Sequence, residues 1–248
     1  MIFEICVDSV EGALAAQAAG GQRIELCDNL VEGGTTPSLG MIQLARQSIT
    51  IDINVIVRPR GGDFCYTELE LEVMRRDILA ARRAGANGVV IGLLKPDGSV
   101  DVEKTRSLVE AARPMSVTFH RAFDLCRDSD EALEAICGLG IERILTSGQM
   151  PNALEGAACI ADLIHKAAGR VIILAGGGVN AGNIAAIAAR TGVKEVHFAA
   201  RKQVDSPMTF RNPHTLMGKA YKPDEYIRKE TDVSIIQKIM RAAHAPPA

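Results

Sequence analysis

Eight short apolar segments, each followed by a segment of helical periodicity, predict an α/β fold: a single-domain TIM-type (β/α)8 barrel spanning residues 1–248. The chain is long enough for a complete barrel, and no composition break, charge block or Ser/Gly linker divides it. An open doubly wound sheet is the alternative. That fold normally has fewer strands and a glycine-rich turn after the first one, where this chain has "VDSVEG".

The strands are predicted from short β-type apolar runs bounded by turn residues. In chain order the predicted strands are 2–7, 23–27, 54–58, 88–93, 116–121, 143–147, 171–175 and 195–199.

The predicted helices have apolar residues at spacings of three and four. They include "SLGMIQLARQS", "TELELEVMRRDILAARRAG", "VEKTRSLVEAAR", "SDEALEAICGLG", "NALEGAACIADLIHKAAG" and "NAGNIAAIAARTG". Several begin at Ser, Thr, Asp or Asn and several end at Gly, as capped helices do.

A long segment, 201–232, separates the eighth strand from a final helix "VSIIQKIMRAAH". It contains Pro207, Pro213 and Pro223 and is too long for a routine connection. We expect an irregular segment that covers the barrel mouth or contacts another subunit, with a mobile surface loop as the alternative. The tail, 244–248, is expected to be flexible.

Charge and composition exclude several classes of partner. The net charge is −2 and the isoelectric point is near 6.2, so no long-range attraction for nucleic acid or anionic lipid is expected. The sequence has no run of eighteen apolar residues, so no membrane span is predicted. Six scattered cysteines without a C-x-x-C pair fit free thiols, and with no signal peptide in "MIFEICVDS" they indicate a cytoplasmic protein.

Alternation along the strands predicts which side chains fill the barrel. "FEICV" and "RIELC" place Glu4, Cys6, Glu25 and Cys27 inside, while the apolar residues between them face the helices. The same alternation turns three further ionisable side chains inward on other strands, namely Arg58, His120 and His197.

Buried charges cost several kcal/mol unless they are paired, bind a ligand or meet water. Barrel active sites lie at the C-terminal strand ends, which favours a site there. Glu4, Glu25 and His120 are candidate general acid–base groups, and Arg58 would stabilise an enolate or oxyanion. A structural salt-bridge layer made by these four side chains is the alternative.

Two loops indicate an anion site. "VRPRGGDFCY" places Arg58 and Arg60 beside two glycines, and guanidinium groups bind phosphate or carboxylate. "LAGGGVNAGN" follows the seventh strand, where many barrels bind phosphate. The predicted anion-binding residues are Arg58, Arg60, Ser147, Gly176, Gly177, Gly178 and His197.

The motifs "RIELCDNL.EGGTTPS", "VRPRGGDFCY", "FHRAFD", "ILTSG" and "AGGGVNAGN" resemble the CutC family, which is named for copper homeostasis. The resemblance runs from the first strand to "EVHFAARK". It implies a TIM-type barrel, a cytoplasmic location, self-association as a homodimer and a role in copper handling. The family's suggested copper ligands correspond to Cys6 and Cys27.

Two functions therefore stay open. The first is a Cu(I)-binding copper homeostasis protein, as the resemblance implies, with a copper ion as partner. The second is a lyase- or isomerase-type barrel enzyme, using proton abstraction or aldol-like cleavage on a small phosphorylated or carboxylated metabolite. An inactive scaffold that binds through 201–232 is a third. No organic cofactor is predicted.

Overall fold

The structure is a computed structural model that describes residues 1–212, 214 and 227–244. In these residues eight parallel strands close into a barrel in sequence order, which confirms the predicted fold class. The barrel strands are β1 Ile2–Val7, β2 Arg23–Leu26, β3 Asp52–Ile56, β4 Gly88–Ile91, β5 Ser116–Phe119, β6 Arg143–Thr146, β7 Ile172–Ala175 and β8 Glu195–Phe198.

Helices follow the strands and surround the barrel. They are α1 Val10–Ala18, α2 Leu39–Ser48, α3 Glu68–Arg83, α4 Val102–Ala112, α5 Ser129–Gly138, α6 Ala157–Ala167, α7 Ile184–Thr191 and α8 Val233–Ala242. Side-chain caps fix several of their starts. Ser9 accepts a hydrogen bond from the N–H of Gly12, and Thr67 and Glu70 form a capping box.

Most predicted strands extend too far at their C-terminal ends. Cys27, Arg58, His120 and Ser147 lie just beyond the last residues of β2, β3, β5 and β6. At these points the chain leaves the ladder of strand hydrogen bonds and enters the loops of the barrel mouth. The side chains predicted for the site thus stand at the strand-to-loop junctions.

The segment after β8 is not irregular throughout, contrary to the prediction. Two strands, β9 Arg201–Asp205 and β10 Ile227–Thr231, pair antiparallel outside the barrel. β10 lies against α1, and α8 then packs between α7 and α1. Pro213 and Pro223, and the end of the predicted flexible tail at 245–248, lie outside the described residues.

The apolar core lies between the barrel and its helices. Ile5, Ile24 and Phe119 point outward from their strands and are fully buried. Met74 and Ile78 of α3 are also fully buried, on the helix face that packs inward. Alternation therefore places Glu4, Cys6, Glu25 and His197 inside as predicted, whereas the interior positions Ile56, Val90 and Leu145 are aliphatic.

A charged layer fills the N-terminal half of the barrel interior. Arg23 lies between two carboxylates, with 2.5 Å from its Nε to Oε2 of Glu4 and 2.5 Å from its NH2 to Oε2 of Glu195. Arg143 donates to Glu195 over 2.9 Å, and Asn54 donates to Glu4 over 3.2 Å. Each buried charge in this layer therefore has a charged or amide partner.

No helix within the described part of the chain is both long and apolar enough to cross a membrane.

Replacing Arg23 by Met is expected to lower the free energy of unfolding by roughly 3–5 kcal/mol, because two buried carboxylates lose their shared cation. Urea denaturation followed by circular dichroism measures the loss. Arg75→Met is the matched control, since Arg75 pairs with Glu72 on the surface of α3. The control is expected to cost less than about 1 kcal/mol. Equal losses in the two variants would contradict a stabilising role for the interior layer.

Candidate metal and ligand site at the barrel mouth

Two free thiols and a carboxyl group meet inside the barrel. Cys6 lies on β1 and Cys27 follows β2, and their Sγ atoms are 3.8 Å apart. Oε2 of Glu25 lies 3.4 Å from Sγ of Cys27. One ligand atom from each of the three residues falls within 4.8 Å of the others. We call these three residues the thiol–carboxyl cluster.

The strand register explains why these side chains meet. Cys6 is paired with Glu25 across the parallel β1–β2 ladder, so both point inward at the same height. Cys27 follows two residues after Glu25 and has the same orientation. All three side chains are buried. The repeated Glu-x-Cys pattern of the sequence therefore places both thiols in one cluster.

The two thiols have different protonation preferences. The hydrogen bond from Cys27 lowers the pKa of Cys6 to about 5, against the effect of burial, and His197 acts in the same direction. The same contact with Cys6, together with burial, raises the pKa of Cys27 well above its usual range. At neutral pH the pair therefore holds one thiolate and one thiol that donates to it.

His197 connects the cluster to the charged layer. Nδ1 of its ring is 2.8 Å from Oε1 of Glu4, and Nε2 is 3.7 Å from Oε2 of Glu25. Although burial opposes protonation, Glu25, Cys6 and Glu4 together raise the pKa of His197 well above its usual range. Burial raises the pKa of Glu25 to about 8. The site thus holds an imidazolium beside the Cys6 thiolate and a carboxyl group that readily keeps its proton.

Above the cluster, a cavity of about 530 Å³ opens at the C-terminal ends of the strands. Its lining residues are Cys6, Glu25, Leu30, Glu32, Gly33, Ile56, Arg58, Phe64, His120, Arg121, Asp124, Leu125, Leu145, Gly177, Gly178, Val179, His197, Phe198, Ala199 and Arg201. Sequence alternation predicted part of this set. A ligand in the cavity would meet thiol, basic and apolar groups together.

Arg58 and His120 are buried in one wall of this cavity. Arg58 donates to the carbonyl oxygens of Glu32 and Gly34 over 2.7 and 2.8 Å, which fixes its guanidinium group. The missing side chain of Gly92 makes room for His120, because a Cβ there would lie 2.3 Å from the imidazole. Burial, together with Arg58, lowers the pKa of His120 to about 3. His120 is therefore neutral and Arg58 charged.

Several predicted site residues lie elsewhere. Glu4 does not line the cavity; it belongs to the charged layer and is fully buried there. Arg60 turns away and pairs with Glu70 and Asp63. Ser147 lies behind the lining and bonds to Asp124. The predicted salt-bridge layer was also wrong in composition, because Glu4 pairs with Arg23 and His197, whereas Arg58 bonds to backbone carbonyls.

Of the three glycines after β7, one allows close packing and two line the cavity. A Cβ on Gly176 would lie 2.5 Å from Cδ1 of Leu145, so this glycine allows close packing inside the barrel. Gly177 and Gly178 line the cavity, and their φ angles of +97° and +70° suit glycine. The loop therefore brings backbone close to the cavity at two of its three predicted positions.

Sequence reasoning missed other members of the site. Arg23 and Glu195 share the strand alternation of Glu25 and His197, so the same rule would have placed them inside. Arg121, which begins a short 3-10 helix after β5, and Arg201, which begins β9, also line the cavity. Arg121 is fixed by hydrogen bonds to Asp124 and Ser147. No local pattern distinguishes these two arginines from surface ones.

The fold and the site define a (β/α)8 barrel protein with a buried pair of free thiols facing its mouth. A sequence profile of the CutC family matches residues 1–202. The family protein CutC of Mesorhizobium japonicum is 48% identical over 98% of this chain and 95% of its own length. The chain belongs to the CutC family.

Two further relatives extend the comparison. A mouse protein named copper homeostasis protein cutC homolog is 48% identical over 96% of this chain and 88% of its own length. The solved structure of CutC from Streptococcus agalactiae is similar with a TM-score of 0.76 and 36% identity. The matched region covers 79% of this chain and 97% of the Streptococcus chain. The chain thus shares its fold with the Streptococcus protein.

The barrel is expected to lose stability in acid because Glu4 becomes protonated. Although burial opposes ionisation, hydrogen bonds and charges from His197 and Arg23 lower the pKa of Glu4 to about 2. The ionised form therefore stabilises the fold above pH 4.5, and this contribution is lost as pH falls towards 2. Free energies of unfolding measured from pH 6 to pH 3 should show a shallower acid decline for Glu4→Gln, which is also less stable at pH 6.

Glu72→Gln is the matched control for this acid effect, since Glu72 bonds only to exposed arginines on α3 among its described partners. Salt screens such surface pairs, so the control should change the acid decline by less than about 0.5 kcal/mol. A decline in Glu4→Gln as steep as in the wild type would contradict the assignment.

Proposed function

We propose that this protein acts in copper homeostasis by binding Cu(I) between Cys6 and Cys27. The 3.8 Å separation of their sulfur atoms is the observation on which the proposal depends. Cu(I) is a soft ion that prefers thiolate ligands. The name of the mouse relative, a copper homeostasis protein, supports the same role.

The geometry of the pair suits a single ion. With metal–sulfur bonds of about 2.3 Å, as in zinc–thiolate sites, a 3.8 Å separation corresponds to a bent S–metal–S angle of roughly 110°. A small opening of the pair would make the angle wider. Two sulfur ligands can therefore hold one ion with little movement of β1 or β2.

The charges of the site also favour a monovalent ion. Binding removes the proton that Cys27 shares with Cys6, so the pair becomes two thiolates. The protonated His197 and one Cu(I) ion then balance the two negative charges. The guanidinium of Arg58 is held by the backbone carbonyls of Glu32, Gly34 and Gly62, so it does not pair with the thiolates.

The geometry of the site gives less support to the alternative function, a barrel enzyme, than to copper binding. Glu4 is fully buried, bonds to Arg23 and His197 and has a pKa of about 2, so it is a weak base with no access to the cavity. His120, with its pKa near 3, is also a weak base. Efficient acid–base catalysis needs groups whose pKa lies near the working pH, and of the three predicted acid–base residues only Glu25, with a pKa of about 8, meets this condition.

The cytoplasmic location and the homodimer implied by the family resemblance stay predictions.

Replacing both Cys6 and Cys27 by Ala is expected to abolish near-stoichiometric Cu(I) binding, because both soft ligands are removed. Competition with a chromophoric Cu(I) chelator under anaerobic, reducing conditions measures the affinity. The matched control is the double variant Cys137→Ala and Cys159→Ala, which removes two half-buried helix thiols outside the site. Retained copper binding in the first variant, or its loss in the control, would overturn the proposal.

Glu25→Gln should separate copper from zinc. A carboxyl group is a poor ligand for Cu(I), so the variant is expected to keep Cu(I) affinity within about threefold. Zn²⁺ accepts carboxylate oxygen beside two sulfurs, so its affinity should fall by roughly tenfold or more at pH 8.5. Parallel chelator competitions with both metals measure the two affinities. An equal loss of both would show that Glu25 acts on the cluster as a whole.

A further inference from the structure

Two buried nitrogen atoms in the wall of the cavity lack acceptors. Nε of Arg58 and Nε2 of His120 form no hydrogen bond with any described residue. Both side chains are only 5% exposed and both line the cavity. An unpaired buried donor lowers the stability of the fold, so two in one wall call for a partner other than the described residues, such as a bound ligand.

Both nitrogen atoms are fixed as donors. Nδ1 of His120 accepts a hydrogen bond from the N–H of Ala122 over 3.1 Å, so the proton of the neutral ring is on Nε2. NH1 of Arg58 donates to two carbonyl oxygens and NH2 to one, which leaves Nε–H and one hydrogen of NH2 without an acceptor among the described residues. The ring of Phe64 packs against both groups, with its centroid 4.9 Å from that of His120 and 5.1 Å from Cζ of Arg58. The partner must therefore supply acceptor oxygen.

The charges around the cavity favour an anion. Arg58, Arg121 and Arg201 line it. Arg121 pairs with Asp124, and NH1 of Arg201 lies 3.6 Å from Oδ2 of Asp8, so Arg58 is the lining arginine without a carboxylate partner among the described residues. Of the acidic lining residues, Asp124 is paired with Arg121, and Glu32 accepts a hydrogen bond from Asn29.

The remaining acidic lining residue, Glu25, already has partners, with its Oε2 3.4 Å from Sγ of Cys27 and 3.7 Å from Nε2 of His197. The backbone N–H groups of Gly177 and Gly178 also line the cavity and donate to no backbone carbonyl of a described residue. They are further donors that an oxyanion can use.

The rest of the lining favours an organic ligand over a bare ion. Leu30, Leu145 and Val179 provide apolar surface, and the volume of about 530 Å³ is that of a small-molecule site. We infer that the cavity binds a small organic oxyanion, a carboxylate or a phosphate ester, whose oxygen atoms accept hydrogen bonds from Arg58 and His120. This site lies beside the thiol–carboxyl cluster, and the inference does not depend on copper.

Calorimetric titration of the metal-free protein, with a chelator present and ionic strength held with chloride, tests the inference. The probes are inorganic phosphate and malonate, with glycerol as the uncharged control. Saturable binding of either anion, and none of glycerol, is expected. Phosphate alone would assign the phosphate ester class, and malonate alone the carboxylate class. No saturable binding of either anion would overturn the inference.

Variants of His120 test where the anion binds. His120→Leu, which removes the donor, is expected to weaken anion binding at least tenfold, whereas His120→Gln keeps an N–H donor and should retain part of it. His165→Leu, on the exposed face of α6, is the matched control and should bind as the wild type does. Wild-type affinity in His120→Leu would overturn the assignment.

A spectroscopic readout covers the case in which His120→Leu does not fold. In protein labelled with ¹⁵N at histidine, the Nε2–H resonance of His120 should shift on anion addition, and that of His165 should stay unchanged. An unshifted His120 resonance at saturating anion would contradict the proposed contact.

Discussion

The pairing of Arg23 with two carboxylates inside a closed barrel is the interaction on which the rest of the site depends. A closed barrel gives interior charges no route to bulk water at this depth, so they must satisfy one another. Glu4 meets Arg23 on one side and His197 on the other. This fixes the imidazole beside the thiols. The salt bridge one layer below thus positions the imidazole that, together with the hydrogen bond from Cys27, lowers the pKa of Cys6.

The barrel and much of its interior could be predicted from the sequence, because alternation along a strand is a geometric rule. It placed Glu4, Cys6, Glu25, Cys27 and His197 inside. The rule gives orientation but not depth, so Glu4 was grouped with the mouth although it lies in the charged layer. Depth depends on the stagger between neighbouring strands, which no single segment encodes.

Loop residues were predicted less well than strand residues. Arg60 was grouped with Arg58 because the two are adjacent in "VRPRGG", yet it bonds to Glu70 and Asp63. Arg201 reaches the cavity from a strand that pairs with a segment more than twenty residues later. Such placements depend on tertiary contacts, and sequence patterns report chiefly local ones. The free donors of Arg58 and His120 likewise follow from tertiary contacts, which give these two nitrogen atoms no acceptor among the described residues.

α8 follows the whole barrel in the sequence and packs against the helices at both ends of the strand order. The family profile ends at residue 202, whereas the helix that packs between α7 and α1 begins at Val233. Its Ile236 and Ile239 are buried. The ring of strands is complete without this helix, because β8 pairs with β1. α8 thus adds an outer contact that links the first and the seventh helix, in a part of the chain that the family profile does not cover.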